Sequence, residues 1–395
     1  MRIFYSFSVL RGLAMGIFSP IWIIYLVHQG YSLLEIGLLG ALFEIAKFIF
    51  EVPSGTFADR FGIKVSIVGS FLFSILTWGF FPFIESLIVC IAALVAWALS
   101  DSLISGAYET WMSRVAGEEQ FGKEIMKNTQ LMILTIILGS ISSGYLYTVN
   151  PYLPFVLVVT VYLVLFVWML LFVSVPKIDL EQENTSFVHI LKSSLKIMMN
   201  QRRVFLIVIA GFFTALVYDT ISRYWQPYMG EIGVSEKTLG YIFAVAGAIS
   251  FLLLMLTIRL EKKIEKSPYK ALTIVDGLGM VLSIIIATGF RSVGLASVAM
   301  VLAMEDIRHP IETSYLNKFF PDSYKTTLFS LNAGVGALGE ISSGIIFGLI
   351  AAQFGLAITF VAAGLCIAPA LIIYSIVPRL KEKTQKDTPA VKTAN

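Results

Sequence analysis

Charge is what this 395-residue sequence has least of: Asp, Glu, Lys and Arg together make up 14% of it, against roughly a quarter in a water-soluble globular domain. Histidine is limited to His28, His189 and His309, and cysteine to Cys90 and Cys366. The two cysteines fall in separate apolar runs with no partner at metal or redox spacing, so they read as small buried apolar residues. A His/Cys metal cluster and a glycine-rich nucleotide loop are both missing, which argues against an enzyme and against a bound cofactor or metal. A net charge of +3 is too small to recruit nucleic acid. The first apolar run also lacks a small-residue cleavage pattern behind it, so it is expected to be a span rather than a removed leader.

What fills the chain instead is hydrocarbon, at 57% hydrophobic residues. Apolar surface on that scale is buried against lipid, and a helix crosses the hydrocarbon core with about 20 such residues. Backbone groups in lipid must be satisfied inside the spanning element, and runs of this length are too long for barrel strands, so the spans are helical. The expected fold is an all-α membrane protein with twelve transmembrane helices near 4–27, 33–53, 64–84, 86–108, 128–149, 153–175, 204–229, 238–258, 271–289, 293–315, 326–351 and 355–377. Sorted by loop, 23 Lys and Arg lie on the side of the termini and two, Lys237 and Arg291, on the other. This bias puts both ends in the cytoplasm and the chain in the inner, cytoplasmic membrane.

The longest hydrophilic stretch, 176–203, divides the chain into two six-helix bundles, 1–175 and 204–378, with a basic tail at 379–395. Within the stretch, Val188, Leu191, Leu195 and Met198 recur at helical spacing, as in an amphipathic helix at the interface. The bundles repeat. Leu138-Gly139-Ser140-Ile141-Ser142-Ser143-Gly144 in span five matches Leu338-Gly339-Glu340-Ile341-Ser342-Ser343-Gly344 in span eleven at six of seven positions, and Glu109-Thr110 faces Glu312-Thr313. Matching spans run the same way, so the pseudo-symmetry axis follows the membrane normal.

Between spans two and three stands Gly55-Thr56-Phe57-Ala58-Asp59-Arg60-Phe61-Gly62-Ile63-Lys64. Pro53 and Gly55 are expected to end span two, Gly62 to permit a tight turn, and Arg60 and Lys64 to hold the cytoplasmic face. This resembles the G-x-x-x-D-R-x-G-x-K signature of the major facilitator superfamily, nearest to its bacterial twelve-helix drug and metabolite efflux members. The resemblance implies a monomer that moves a small solute by alternating access, with Gly55, Asp59, Arg60, Gly62 and Lys64 latching the bundles in one state. The stretch Ser100–Gly106 has no arginine where drug–proton antiporters of the family carry one, and the span-five motif lacks its proline, so export and uptake both stay open.

Ionisable groups inside spans are costly and face a cavity, pair, or both. Asp101, Asp219, Glu305 and Glu340 are the candidates for proton coupling. Arg11, Arg223 and Asp306, with the aromatic residues Trp22, Tyr25 and Trp97, are the candidates for a substrate cavity; Asp219–Arg223 and Glu44–Lys47 also have the spacing of helical ion pairs, the latter at the bundle interface. His309 reads as a packed polar residue, Tyr224, Trp225 and Tyr228 as belt aromatics, Ser32 and Glu35 as a capping box, and Glu51 as a support of the signature loop. The expected activity is proton-coupled efflux of a drug or lipophilic metabolite. Proton-coupled uptake of a sugar, organic acid or peptide, and a non-transporting receptor or assembly factor, are the alternatives.

Overall fold

In the computed structural model, residues 1–175, 187–320 and 325–380 are described; residues 176–186 of the linker, 321–324 and the tail from 381 to 395 lie outside the described residues. Every regular element among them is helical: α1 Arg2–Phe18, α2 Trp22–His28, α3 Leu33–Phe61, α4 Ile63–Phe80, α5 Leu87–Ala116, α6 Glu118–Val149, α7 Leu153–Phe172, α8 Phe187–Asn200, α9 Arg202–Glu231, α10 Glu236–Arg259, α11 Glu261–Lys266, α12 Pro268–Ile286, α13 Arg291–Asn317, α14 Lys325–Leu365 and α15 Ala368–Ile376. Nine helical segments among the described residues are long and apolar enough to cross a membrane. Helices α3 and α13, with 29 and 27 residues, have the length but are interrupted by charge. The last segment, Thr327–Arg379, holds 53 residues, and the chain breaks inside it at Gly355 (φ 81°). These are the positions where the sequence places its second, tenth, eleventh and twelfth spans.

Two sets of helices pack by the same plan. Helix α1 lies on α6 as α9 lies on α14; α4 on α5 as α12 on α13; α3 on α5 as α10 on α13; and α4 on α7 as α12 on α15. Two seams join the sets, α3 with α14 and α6 with α10. The repeated heptapeptide explains both kinds of contact. A Cβ at Gly139 would stand 2.6 Å from the Leu13 carbonyl oxygen, and one at Gly339 2.5 Å from that of Phe212, so each glycine admits its neighbour within the bundle. Gly144 and Gly344 meet the opposite bundle instead, at Glu236–Lys237 and at Gly37–Ala41. Ser143 donates to the Ile17 carbonyl at 2.5 Å, and Ser343 pairs with Thr220 at 2.8 Å.

Several boundaries differ from the sequence reading. Helix α3 runs through Pro53 to Phe61 and ends only at Gly62 (φ 97°), a conformation that a side chain resists, so the turn is set there and not at Pro53–Gly55. The first span is two helices, because Pro20 has no N–H to continue α1 and the chain restarts at Trp22. In α8 the buried face is Ser194, Ile197 and Met198, while Leu195 is exposed; the side chains of Val188 and Leu191 lie outside the described residues. That face packs on α9 and α14. Ser32 and Glu35 form the expected capping box.

Candidate functional site

We call the side carrying Arg2 the terminal face and the other the distal face. At the distal face Gln226 bridges the halves through the backbone of the first span. The break at Pro20 leaves the Ser19 carbonyl without a helical donor, and the first N–H groups of α2 have no acceptor inside their own helix. Gln226 of α9 meets both needs from the other bundle. Its Oε1 accepts from the N–H groups of Ile23 and Ile24, each at 3.2 Å, and its Nε2 donates to the Ser19 carbonyl at 2.8 Å. Tyr224 adds a hydrogen bond from its hydroxyl to the Leu33 carbonyl at 3.1 Å. Tyr224, Trp225 and Tyr228 are therefore buried in the bundle and do not form a lipid belt, since α9 faces the seam on this side. Sequence reasoning missed Gln226; its signal was an amide one turn beyond Arg223 and beside Pro227.

Toward the terminal face the seams change character. Near the distal end they are backbone against backbone, as at Gly37 and Gly344; nearer the terminal face Gly334 meets the Phe48 ring and Gly247 meets Ile137. There glycine meets side chains of the opposite bundle rather than its backbone.

The polar residues gather at the depth where the seams change. Arg223 binds Asp219 through both carboxylate oxygens, at 2.6 and 2.7 Å, so the expected intrahelical pair forms. Its guanidinium also enters a notch in α3 at Gly40, where a Cβ would overlap it. Next to this pair Glu44 of α3 and Glu340 of α14 lie close to each other across the seam. Lys47 lies within electrostatic reach of Glu44, Glu340 and Asp101, with its ammonium 6.0 Å from the Phe43 ring. Asp101 neighbours Arg11 and the Trp97 indole, so spans one and four do meet here; Arg11 lies 5.9 Å from the Tyr108 ring. Trp97 packs on Trp22 (5.1 Å) and Phe43 (5.0 Å), and both tryptophans are half-buried. Tyr25, by contrast, is 1% exposed and enclosed by Phe81, Tyr147 and Phe155 within the first bundle.

Helix α13 distributes its charges by rotation. Glu305 is exposed, with Ser222 Oγ donating to it at 3.4 Å; Asp306 accepts from Ser250 of α10 at 2.5 Å; His309 is exposed, not packed. Arg308 turns into the second bundle and contacts Asp276 of α12 at 3.3 Å and Glu312 at 2.5 Å. Asp276 also accepts from Tyr374 (2.8 Å) and Tyr218 (3.2 Å), and Asn332 donates to Glu312 at 3.3 Å. This network ties α9, α12, α13, α14 and α15 together. Asp276 went unread in the sequence, although a lone acid in an apolar run is itself a signal.

In the signature stretch, Gly62 makes the turn, the Arg60 guanidinium sits 5.4 Å from the Phe61 ring, and the Lys64 ammonium donates to the Leu170 carbonyl at 3.0 Å. Gly55 and Asp59 lie outside the described side chains. Ser105 donates to Glu51 at 3.3 Å, fixing the end of α3 to α5. The contacts described for this stretch stay within the first bundle.

The family model described as Major Facilitator Superfamily matches residues 4–307. The chain belongs to the major facilitator superfamily. This major facilitator protein is 62% identical over 390 residues to an uncharacterized transporter of that type, YxaM of Bacillus subtilis (strain 168), with 98% of each chain covered. It is 21% identical over 368 residues to the quinolone resistance protein NorA of Staphylococcus aureus (strain MRSA252), covering 91% of this chain and 92% of the relative. Among solved structures, the D-xylose-proton symporter aligns with a TM-score of 0.75 at 15% identity over 96% of this chain and 98% of that one. The nucleoside transporter NupG aligns with a TM-score of 0.74 at 12% identity, again over 96% of this chain and 98% of the other. The all-helical two-bundle architecture is thus the major facilitator fold, and the protein is a multi-pass membrane transporter of that family.

Proposed function

We propose that this transporter exports a lipophilic solute against its gradient in exchange for protons, with the terminal face in the cytoplasm. The observation that carries the reading is the Glu44–Glu340 carboxyl pair across the α3–α14 seam. Two acids facing each other between bundles that rock change both separation and surroundings as the bundles move, which is what links a proton site to the two open states. Lys47 follows as the counter-charge, and Asp101 lies within electrostatic reach of Arg11. The half-buried Trp22, Trp97 and Phe43 surface beside Asp101 offers flat apolar contact and an acid, which suits a solute that is aromatic or a lipophilic cation. The relation to a quinolone resistance protein favours export over uptake. The excess of Lys and Arg on the terminal side supports the orientation.

The test is reconstitution into liposomes with an imposed pH gradient and a fluorescent lipophilic cation as substrate. Wild type should concentrate the dye only when the gradient is present, and in the orientation equivalent to inverted vesicles. Glu340→Gln and Asp101→Asn should abolish concentration while retaining the wild-type melting temperature. Gradient-driven accumulation at the wild-type rate in both variants would remove these acids from the coupling step.

A further inference from the structure

A second polar site lies away from these charges, on the terminal face of the second bundle. A cavity of about 620 Å³ opens there between the start of α9, the α11–α12 turn and the end of α13. Its wall carries five cations, Arg203, Lys266, Lys270, Lys318 and Arg379, and one acid, Glu265. Glu265 is engaged by Lys318 at 3.5 Å. Arg203 is oriented by the Leu380 carbonyl, with its Nε 3.0 Å away, so the chain leaving the last helix fixes that guanidinium at the rim. Lys266, Lys270 and Arg379 are exposed on the cavity wall. The floor is phenolic: Tyr269 and Tyr315 hydrogen-bond each other, and Tyr374 lies behind them.

Positive charge on this face is expected from topology alone, but topology spreads lysines over loops and has no need of a cavity. Here the cations surround a single concavity at the ends of α9, α12 and α13, the depth at which phospholipid headgroups sit, and tyrosine rings line its base. We infer that this cavity binds a phosphate group, carried by an anionic phospholipid headgroup or by a free phosphate, and that occupancy braces the second bundle. Lys266, Lys270 and Arg379 neutralise the phosphate oxygens, with Ser267 in the same wall.

The experiment uses the purified full-length chain in neutral detergent and follows thermal unfolding during three titrations: phosphatidylglycerol, phosphatidylcholine, and inorganic phosphate matched in ionic strength with chloride. The variants are Lys266→Gln/Lys270→Gln and, as a charge-matched control outside the cavity, Lys262→Gln/Lys263→Gln. Wild type and control should melt higher with phosphatidylglycerol and not with phosphatidylcholine. The cavity variant should need on the order of 30-fold more lipid for half the effect, at about fivefold per basic residue near the surface. The same pattern with inorganic phosphate would identify a free anion as the ligand. If the cavity variant and control respond alike to both, or wild type responds to neither, the site does not exist. Native mass spectrometry of wild type and Arg379→Gln gives an independent readout, retained phosphatidylglycerol, should the double variant fail to fold.

Discussion

The distal seal rests on Gln226, and replacing it with methionine isolates what its amide does. Methionine keeps nearly the same volume, so packing changes little, but three hydrogen bonds between the bundles are lost. At a net value of about 1 kcal/mol each, the closed state loses about 3 kcal/mol. The Ser19 carbonyl and the Ile23 and Ile24 N–H groups are left unsatisfied only while the bundles are shut; once they separate, water reaches them. The distal-open to distal-closed ratio should therefore rise about 100-fold. Spin labels at Glu85→Cys and Arg291→Cys, one on each half's distal loops, read that ratio by double electron–electron resonance in a Cys90→Ser/Cys366→Ser background. A second, longer distance should appear or dominate in Gln226→Met. A long-to-short ratio within about threefold of the parent would mean that the amide does not hold the seal, and the reasoning from a helix capped in trans would be wrong.

Three further outcomes follow from the packing. Gly40→Ala places a methyl inside the Arg223 guanidinium, so it should cost about 1–3 kcal/mol; its melting point should fall by several degrees, and Arg223→Ala added to it should cost less than in the parent. Arg308→Met strands Asp276 and Glu312 and should destabilise by about 3–5 kcal/mol, with part of the loss recovered in Arg308→Met/Asp276→Asn; equal melting of both variants would argue that the carboxylates reach water. Gly139→Leu and Gly339→Leu should each block folding or surface expression, because a side chain there meets the backbone of the packed helix.

The spans, the parallel repeat and the signature turn were readable because each depends on local pattern: hydrocarbon length, a seven-residue string, a glycine at φ 97°. The Asp219–Arg223 and Ser32–Glu35 pairs were readable for the same reason, since one helix fixes their separation. What escaped depends on which faces of distant helices meet. Asp276 and Arg308 belong to different helices, and nothing in their order says that α12 turns its acid toward α13 rather than toward lipid. The belt reading of Tyr224 and Trp225 failed likewise, because an aromatic at the end of a span looks the same whether the neighbour is lipid or another bundle. Gln226 serves a helix 203 positions earlier.

The two glycine seams have a mechanical corollary. Where Gly37 meets Gly344 and Gly144 meets Lys237, backbone rests on backbone, so one half can roll on the other there without any rotamer having to change. A hinge of this kind stays fixed while the ends on either side swing in opposite directions, and widening one mouth narrows the other. The single residue at which the repeated heptapeptides differ, Ser140 against Glu340, lies one helical turn from that hinge, where a small rotation is enough to change its distance from Glu44.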